Sequence, residues 1–245
     1  MKRFGLIGHP VAGSLSPRLF AAAYGSRYAY DLIEGADFQH SWQRFLDGYH
    51  GINITAPFKQ LAFREADTLS EAARLTGAVN LAVKTPEGRV AGYNTDVDGV
   101  LLSLQEAGAA AADALVVGVG GAGRAAAVAA LQLGCRVTLL NRTPETAQAL
   151  AAQLGCAFRP LAELPEAVQE AGIVLYTVPG PVDGLREADF SGRTVLEANY
   201  RQPCLADVPG CRYISGRRWL LFQAVAGYAL FTGESPQQKA MEEVL

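Results

Sequence analysis

A glycine-rich hexapeptide limits the possible folds of this chain more than any other segment. It reads Gly118-Val119-Gly120-Gly121-Ala122-Gly123, follows the apolar run 114–117 and precedes the alanine-rich stretch 124–133. A strand, a glycine turn and a helix in series are typical of a dinucleotide-binding unit. The glycines let a pyrophosphate approach the backbone amides at a helix N-terminus, where the helix dipole favours negative charge. We therefore predict a doubly wound, Rossmann-like α/β domain, with cofactor-binding residues Gly118, Gly120, Gly121, Ala122 and Gly123.

The composition predicts a globular protein and excludes two classes of partner. The chain has 245 residues, of which 50% are hydrophobic, and its formal net charge is −3. This length allows one large or two modest domains. Because the charge is slightly negative and the basic residues form no dense run, we expect no nucleic acid partner. No apolar stretch reaches the roughly 18 residues of a membrane span, so we expect no membrane partner.

The cysteine pattern indicates reduced thiols and no metal. There is no Cys-x-x-Cys pair and no paired His/Cys motif with zinc spacing among Cys135, Cys156, Cys204 and Cys211. The N-terminus enters a predicted strand at once, without a charged and then apolar leader. The expected location is therefore the cytoplasm.

Short apolar runs alternate with helix-like segments along the whole chain, which is an α/β pattern. In the first hundred residues the predicted strands are 4–7, 28–33, 51–54, 79–83 and 90–93. Ser16-Pro17 predicts the cap and first position of a helix over 18–23, and residues 86–89 predict a hairpin turn. A helix over 97–108 links to the nucleotide-binding strand. Later strands are predicted at 136–140, 173–176 and 194–198, then an apolar helix over 219–231 and a last helix started by Ser235-Pro236.

One lysine stands out as a candidate for acid–base chemistry. Lys59 follows an Asn/Thr/Pro-rich turn, unlike the other lysines, Lys2, Lys84 and Lys239. A lysine near a bound ketone can donate a proton to its oxygen as hydride arrives at the carbon, and Asp96 could hold that amine in place. Taken singly, Lys59 also fits a solvated cation at a helix start, and Asp96 fits a helix cap. A Tyr-x-x-x-Lys pair is absent, whereas a His–Asp dyad using His9 or His50 stays open.

The end of the second nucleotide-binding strand indicates the cofactor. Asn141 lies 23 positions after Gly118, near the place where NAD-binding domains carry an Asp or Glu for the ribose 2′-hydroxyl. That carboxylate is absent, and the guanidinium of Arg142 suits a 2′-phosphate. Thr143 adds a hydroxyl beside a helix that starts with proline. We therefore predict NADP(H), with Asn141, Arg142 and Thr143 among the cofactor-binding residues.

Several motifs, taken in order, resemble the shikimate dehydrogenase family over nearly the whole chain. They are Gly8-His9-Pro10, Ser14-Leu15-Ser16-Pro17, 53–59, Gly77-Ala78-Val79-Asn80, Gly92-Tyr93-Asn94-Thr95-Asp96, the glycine hexapeptide, Asn141-Arg142-Thr143, Tyr200, and Gly216 with Leu220 and Gln223. Two segments depart from the family pattern. They are Tyr176-Thr177-Val178-Pro179-Gly180 and 197–203, where Glu197 replaces the usual Asp and one residue is inserted before Pro203.

This resemblance implies reversible, NADPH-dependent reduction of 3-dehydroshikimate to shikimate, in the chorismate branch of aromatic amino-acid biosynthesis. Lys59 and Asp96 would form the catalytic pair, and which of them carries the proton stays open. Ser14, Ser16 and Tyr200 would hold the substrate carboxylate. The ring hydroxyls or ketone would contact Thr55, Asn80, Asp96 and Gln223. Thr177 joins the expected cofactor-binding residues, although the contacts of its loop stay open.

The resemblance also implies two domains. Residues 1–98 with 217–245 would bind the substrate and carry out catalysis, because the apolar C-terminal helices need a core to cover. Residues 99–216 would bind the dinucleotide. Two alternatives remain, namely a quinate/shikimate dehydrogenase that uses NAD, and a non-catalytic NADP-binding regulator. The expected partner is a small-molecule substrate, and a homodimer is left open.

Overall fold

The computed structural model describes all 245 residues. They form two compact units, the first made of Met1–Thr95 with Leu221–Leu245, and the second of Asp96–Leu220. These bounds lie a few residues from those expected from the sequence. No helix is both long enough and apolar enough to cross a membrane.

The first unit is built on a six-stranded mixed sheet with the order β2-β1-β3-β5-β6-β4. β1 is parallel to β2 and β3, whereas β5 is antiparallel to β3 and β6. The predicted hairpin is confirmed, because Thr85 N–H donates to Arg89 O (2.8 Å) and Gly88 turns with φ +80°. The strands are β1 (Arg3–Gly8), β2 (Ala29–Glu34), β3 (Gly51–Ile54), β4 (Thr68–Leu69), β5 (Leu81–Lys84) and β6 (Val90–Tyr93).

Four helices of the first unit come before the point where the chain enters the second unit. They are α1 (Ser16–Tyr24), α2 (Phe38–Gly48), α3 (Lys59–Glu65) and α4 (Glu71–Thr76). The predicted start of α1 was wrong, since the helix begins at Ser16 rather than after it. The physical reason is that Ser14, not Ser16, supplies the accepting hydroxyl, with Ser16 N–H donating to Ser14 Oγ (3.2 Å).

The second unit contains a six-stranded sheet in which every neighbouring pair is parallel, with the order β12-β11-β10-β7-β8-β9. Read from β7, this is the doubly wound order, with the topological switch between β7 and β10. The strands are β7 (Asp113–Val117), β8 (Arg136–Asn141), β9 (Ala157–Pro160), β10 (Ile173–Tyr176), β11 (Thr194–Glu197) and β12 (Arg212–Ser215). The helices are α5 (Asp96–Glu106), α6 (Gly121–Gln132), α7 (Pro144–Leu154) and α8 (Leu164–Glu170).

Two C-terminal helices complete the chain, α9 (Gly216–Thr232) and α10 (Gln238–Glu243). From Leu221 onward they belong to the first unit. Phe231 of α9 stacks on Phe4 of β1, with ring centroids 4.9 Å apart. The expectation that Ser235-Pro236 starts the last helix was wrong. Gln237 N–H donates to Ala23 O (3.3 Å), so this segment is held against α1 and the helix begins only at Gln238.

Candidate active site

The turn that follows β3 carries two of the predicted site residues, Thr55 and Lys59. Thr55 N–H donates to Ile7 O (3.0 Å), and Phe58 N–H donates to Thr55 O (2.9 Å), which closes the turn. The Phe58 ring is buried in the core, so α3 starts at Lys59 in a fixed place. A Cβ on Gly8 would lie 2.3 Å from Thr55 Cγ2, so glycine permits this close approach.

Asn80 is brought beside the same turn by backbone hydrogen bonds. Ile54 N–H donates to Asn80 O (2.7 Å), and Val79 N–H donates to Lys59 O (2.9 Å). The Asn80 side chain is buried. Its Oδ1 accepts from Thr95 N–H (2.8 Å), and its Nδ2 donates to Thr95 Oγ1 (3.2 Å). The structure thus gathers Thr55, Lys59 and Asn80 at one place in the first unit, and Asn80 also fixes the residue that precedes Asp96.

The two predicted serines lie together where α1 begins. Ser14 Oγ donates to Ser16 Oγ over 3.1 Å, so the pair forms one hydroxyl cluster. Gln223, also in the first unit, lies on α9. Hydroxyl groups of this kind can donate to a carboxylate without a buried countercharge.

Asp96 is the first residue of α5 and belongs to the second unit. It is mostly buried, with 9% of its surface exposed. The N-terminus of a helix favours a carboxylate electrostatically. Two residues on, the partial burial of Asp98 raises the pKa of its carboxyl, and the negative charge of Asp96 raises it further. The start of α5 therefore concentrates negative charge around Asp96.

The glycine turn follows β7, as predicted, and α6 begins at Gly121. Gly118 has φ +90°, a conformation that favours glycine. A Cβ on Gly123 would lie 1.9 Å from Gly118 O, which explains why this position needs glycine. By contrast, a Cβ on Gly120 would meet nothing within 4 Å. Gly120 caps α6 without a side chain, and this open space beside the first turn of the helix suits the approach of a pyrophosphate to backbone N–H groups.

Thr177, just after β10, supports the glycine turn from the neighbouring strand. Its N–H donates to Val117 O (2.9 Å), and its Oγ1 lies 2.9 Å from Val117 O and 3.0 Å from Gly118 O. The Thr177 hydroxyl is therefore engaged with the backbone of the turn. This contact helps to fix the conformation of the glycine turn.

Asn141 connects the glycine turn to the start of α7. Its Oδ1 accepts from Val119 N–H (3.4 Å), and its Nδ2 donates to Thr143 O (3.0 Å). Arg142 and Thr143 are exposed, and Pro144 begins α7. The carboxyl ends of β7 and β8 are neighbours in a parallel register, so Arg142 lies at the same edge of the sheet as the glycine turn.

Sequence reasoning missed the role of Glu197, noted only as a departure from a motif. This carboxylate is fully buried and accepts from Cys204 N–H (2.6 Å), Leu205 N–H (3.0 Å) and Tyr213 Oη (3.1 Å). It thereby fixes the segment after β11 that carries Tyr200, whose side chain is half-buried. An acidic residue at the end of a short strand, directly after the apolar pair Val195 and Leu196, is the signal that could have revealed it.

The alternative dyad of a histidine with an aspartate finds no support in the geometry. His9 Nδ1 lies 3.6 Å from Glu34 Oε1, and both side chains are about half exposed. His50 Nδ1 accepts from Arg3 N–H (3.3 Å). Each histidine thus has a partner other than an aspartate.

The doubly wound sheet and its glycine turn define the class as a nucleotide-binding α/β protein, and comparisons define the family. A model described as the shikimate dehydrogenase substrate binding domain matches residues 6–82, and one described as shikimate / quinate 5-dehydrogenase matches residues 102–202. The curated shikimate dehydrogenase (NADP(+)) of Acidiphilium cryptum is 37% identical over 257 residues, covering 95% of this chain and 91% of that protein. The chain belongs to the shikimate dehydrogenase family.

Solved structures agree on the two-domain, Rossmann-like fold. The crystal structure of shikimate 5-dehydrogenase from Thermus thermophilus in complex with NADP(H) and shikimate has a TM-score of 0.88 at 32% identity, covering 100% of this chain and 98% of that one. Quinate dehydrogenase from Corynebacterium glutamicum in complex with NAD has a TM-score of 0.89 at 28% identity, covering 99% of this chain and 98% of that one. The predicted fold class is confirmed.

Proposed function

We propose that this chain is an NADP-dependent shikimate dehydrogenase, which reduces 3-dehydroshikimate to shikimate and catalyses the reverse reaction in aromatic amino-acid biosynthesis. The observation that carries the proposal is that backbone hydrogen bonds bring Thr55, Lys59 and Asn80 to one place in the first unit. All three lie inside the segment that matches the family's substrate binding domain. Hydroxyl, amide and amine groups gathered there suit a substrate with several hydroxyls and a ketone.

The second unit fits a phosphorylated dinucleotide. The open N-terminus of α6 at Gly120 suits the pyrophosphate, and Arg142 at the same sheet edge suits a 2′-phosphate. When bound, NADPH supplies the hydride. Around the substrate, Lys59 and Asp96 are the proposed acid–base pair, with the Lys59 ammonium donating a proton to the ketone oxygen as it becomes a hydroxyl.

A spectrophotometric assay tests the proposed function. The reduction of NADP and of NAD is followed with shikimate, with quinate and without substrate. We expect a rate with NADP and shikimate that clearly exceeds every other combination. A larger rate with NAD and quinate would instead support the quinate dehydrogenase alternative, and no rate with either substrate would support a binding protein.

Replacing either serine of the hydroxyl cluster should weaken substrate binding. We expect Ser14→Ala and Ser16→Ala each to raise the Michaelis constant for shikimate by about tenfold or more, because a hydrogen bond to a charged group contributes roughly 1.5–3 kcal/mol. The turnover number should change much less, since contacts remote from the reacting carbon stabilise the ground and transition states alike. Steady-state kinetics of both variants provide the measurement, and an unchanged Michaelis constant in both would contradict the assignment.

Arg142 should determine the preference for the phosphorylated cofactor. We expect Arg142→Ala to reduce the NADP/NAD affinity ratio by about 10- to 100-fold, equivalent to roughly 1.4–2.8 kcal/mol. Titration of both cofactors into the wild type and the variant measures this ratio. Arg186→Ala, which removes an exposed arginine elsewhere in the second unit, serves as the control. Comparable affinities for NAD and NADP in the wild type would contradict the proposed cofactor.

The cysteines support a proposal for the location of the protein. All four are free thiols. Burial raises the pKa of Cys156, Cys204 and Cys211, so these thiols stay protonated and react slowly. Reducing compartments maintain free thiols, and we propose a cytoplasmic location.

A further inference from the structure

Two parts of the proposed substrate site come from opposite ends of the chain and meet at one buried hydroxyl. Tyr228 Oη on α9 donates to Ser16 O at the start of α1, over 3.0 Å. Only 1% of Tyr228 is exposed. Its ring also meets Phe20 of α1 edge-on, with centroids 4.9 Å apart. The hydroxyl of Tyr228 is thus the polar contact between α1 and α9 at the serine end of α1, whereas Thr232 Oγ1 donates to Tyr24 Oη (3.0 Å) at the other end.

A second tyrosine extends this contact to the central strands. Tyr30 Oη donates to Asn53 Oδ1 (2.8 Å), and the Tyr30 ring lies edge-on to Tyr228 with centroids 6.1 Å apart. The hydroxyls of both tyrosines also interact with Ser16. Burial raises the pKa of both tyrosines, so both keep their protons and remain hydrogen-bond donors.

We propose that Tyr228 is a positioning residue for substrate binding, holding the Ser14–Ser16 hydroxyl pair of α1 in register with Gln223 of α9. Gln223 lies on the same helix as Tyr228, a little over one turn earlier. The hydrogen bond to Ser16 O therefore fixes the first turn of α1 relative to the helix that carries Gln223. This inference rests on the proposed function, because it assumes that these residues bind the substrate.

The first experiment removes the hydroxyl and keeps the ring. In Tyr228→Phe we expect the Michaelis constant for shikimate to rise about fivefold, the typical effect of losing one neutral hydrogen bond. The turnover number and the Michaelis constant for NADP should stay within about twofold of wild type, because displaced serine hydroxyls weaken substrate binding in the ground and transition states alike. An unchanged Michaelis constant for shikimate would overturn the proposal.

Tyr24→Phe is the matched control for a merely structural effect. Tyr24 is also buried on α1, packs edge-on against Phe20, donates from Oη to Glu234 O (2.9 Å) and accepts from Thr232 Oγ1 (3.0 Å). The substitution therefore removes a buried hydroxyl that joins α1 to the C-terminal segment, at the end of α1 away from the serines. We expect Tyr24→Phe to lower the melting temperature at least as much as Tyr228→Phe does, and to leave the Michaelis constant for shikimate unchanged. Equal increases of the Michaelis constant for shikimate in both variants would overturn the positioning role.

A double-mutant cycle identifies the group that Tyr228 positions. If Tyr228 acts through Ser16, Tyr228→Phe should have little further effect on the Michaelis constant for shikimate in a Ser16→Ala background. Fully additive effects of the two substitutions would show that Tyr228 does not act through Ser16.

Equilibrium titration of shikimate into the wild type separates this question from the proposed function. A wild type that neither binds nor oxidises shikimate refutes the function itself, whereas a wild type that does both, with a Tyr228→Phe variant that matches it, refutes only this inference.

Discussion

Lys59→Ala is expected to lower the turnover number by at least about 100-fold, because general acid–base groups typically contribute factors of 10² to 10⁴. The affinity for NADPH should stay near that of the wild type, since the glycine turn and Arg142 belong to the other unit. Lys59→Arg should be similarly impaired, because a guanidinium does not release its proton in a protein. Steady-state turnover and cofactor titration of both variants provide the measurement.

The contacts around Lys59 allow its side chain to be removed without disturbing the local backbone. The residue is held through backbone groups, with Val79 N–H donating to Lys59 O, and by the buried neighbour Phe58, so truncation of its side chain leaves these contacts in place. Lys84→Ala is the control within the same unit, since Lys84 Nζ donates to Leu46 O (2.8 Å) and has no proposed part in the chemistry. Near-normal turnover in Lys59→Ala, or an equal loss in Lys84→Ala, would show that Lys59 is not the acid–base group.

Local signals in the sequence were sufficient to predict the structure of segments whose conformation depends mainly on their own residues. The hairpin at residues 86–89 and the strand–turn–helix unit around Gly118 follow from turn residues and from apolar runs, and both are present in the structure. The parallel arrangement of β7 and β8 also follows, because a helical crossover of this length joins parallel strands.

Contacts between distant segments could not be predicted in this way. The Thr177 hydroxyl contacts the backbone of residues 117 and 118, about sixty positions earlier, and Tyr228 contacts a residue near the opposite end of the chain. The start of α1 was misjudged for a related reason. Both serines are good capping residues, and only the folded turn shows that Ser14 supplies the accepting oxygen. For the candidate site, the sequence indicated which residues matter, whereas the buried groups that hold them became visible only in the fold.

Gly123→Ala is expected to abolish tight NADPH binding and to destabilise the second unit. The new Cβ would lie 1.9 Å from Gly118 O and 2.9 Å from Thr177 Oγ1. Because the first of these atoms belongs to the backbone, no side-chain rotation relieves the clash, and Gly118 has to move. Overpacking of this kind costs typically about 1–3 kcal/mol and occasionally more. We expect NADPH affinity to fall by about 100-fold or more, equivalent to about 2.8 kcal/mol, with a lower melting temperature in the absence of cofactor.

Gly120→Ala tests direct contact with the cofactor without changing the shape of the glycine turn. A Cβ there meets nothing within 4 Å, so the melting temperature without cofactor should match that of the wild type. If the pyrophosphate approaches the N-terminus of α6 at this glycine, the methyl group occupies the space that it needs, and NADPH affinity should still fall by about tenfold or more. Thermal unfolding with and without NADPH, together with cofactor titration, measures both effects. A Gly120→Ala variant with wild-type NADPH affinity would show that the pyrophosphate binds elsewhere. A Gly123→Ala variant with wild-type stability would show that the turn can accommodate a Cβ at this position.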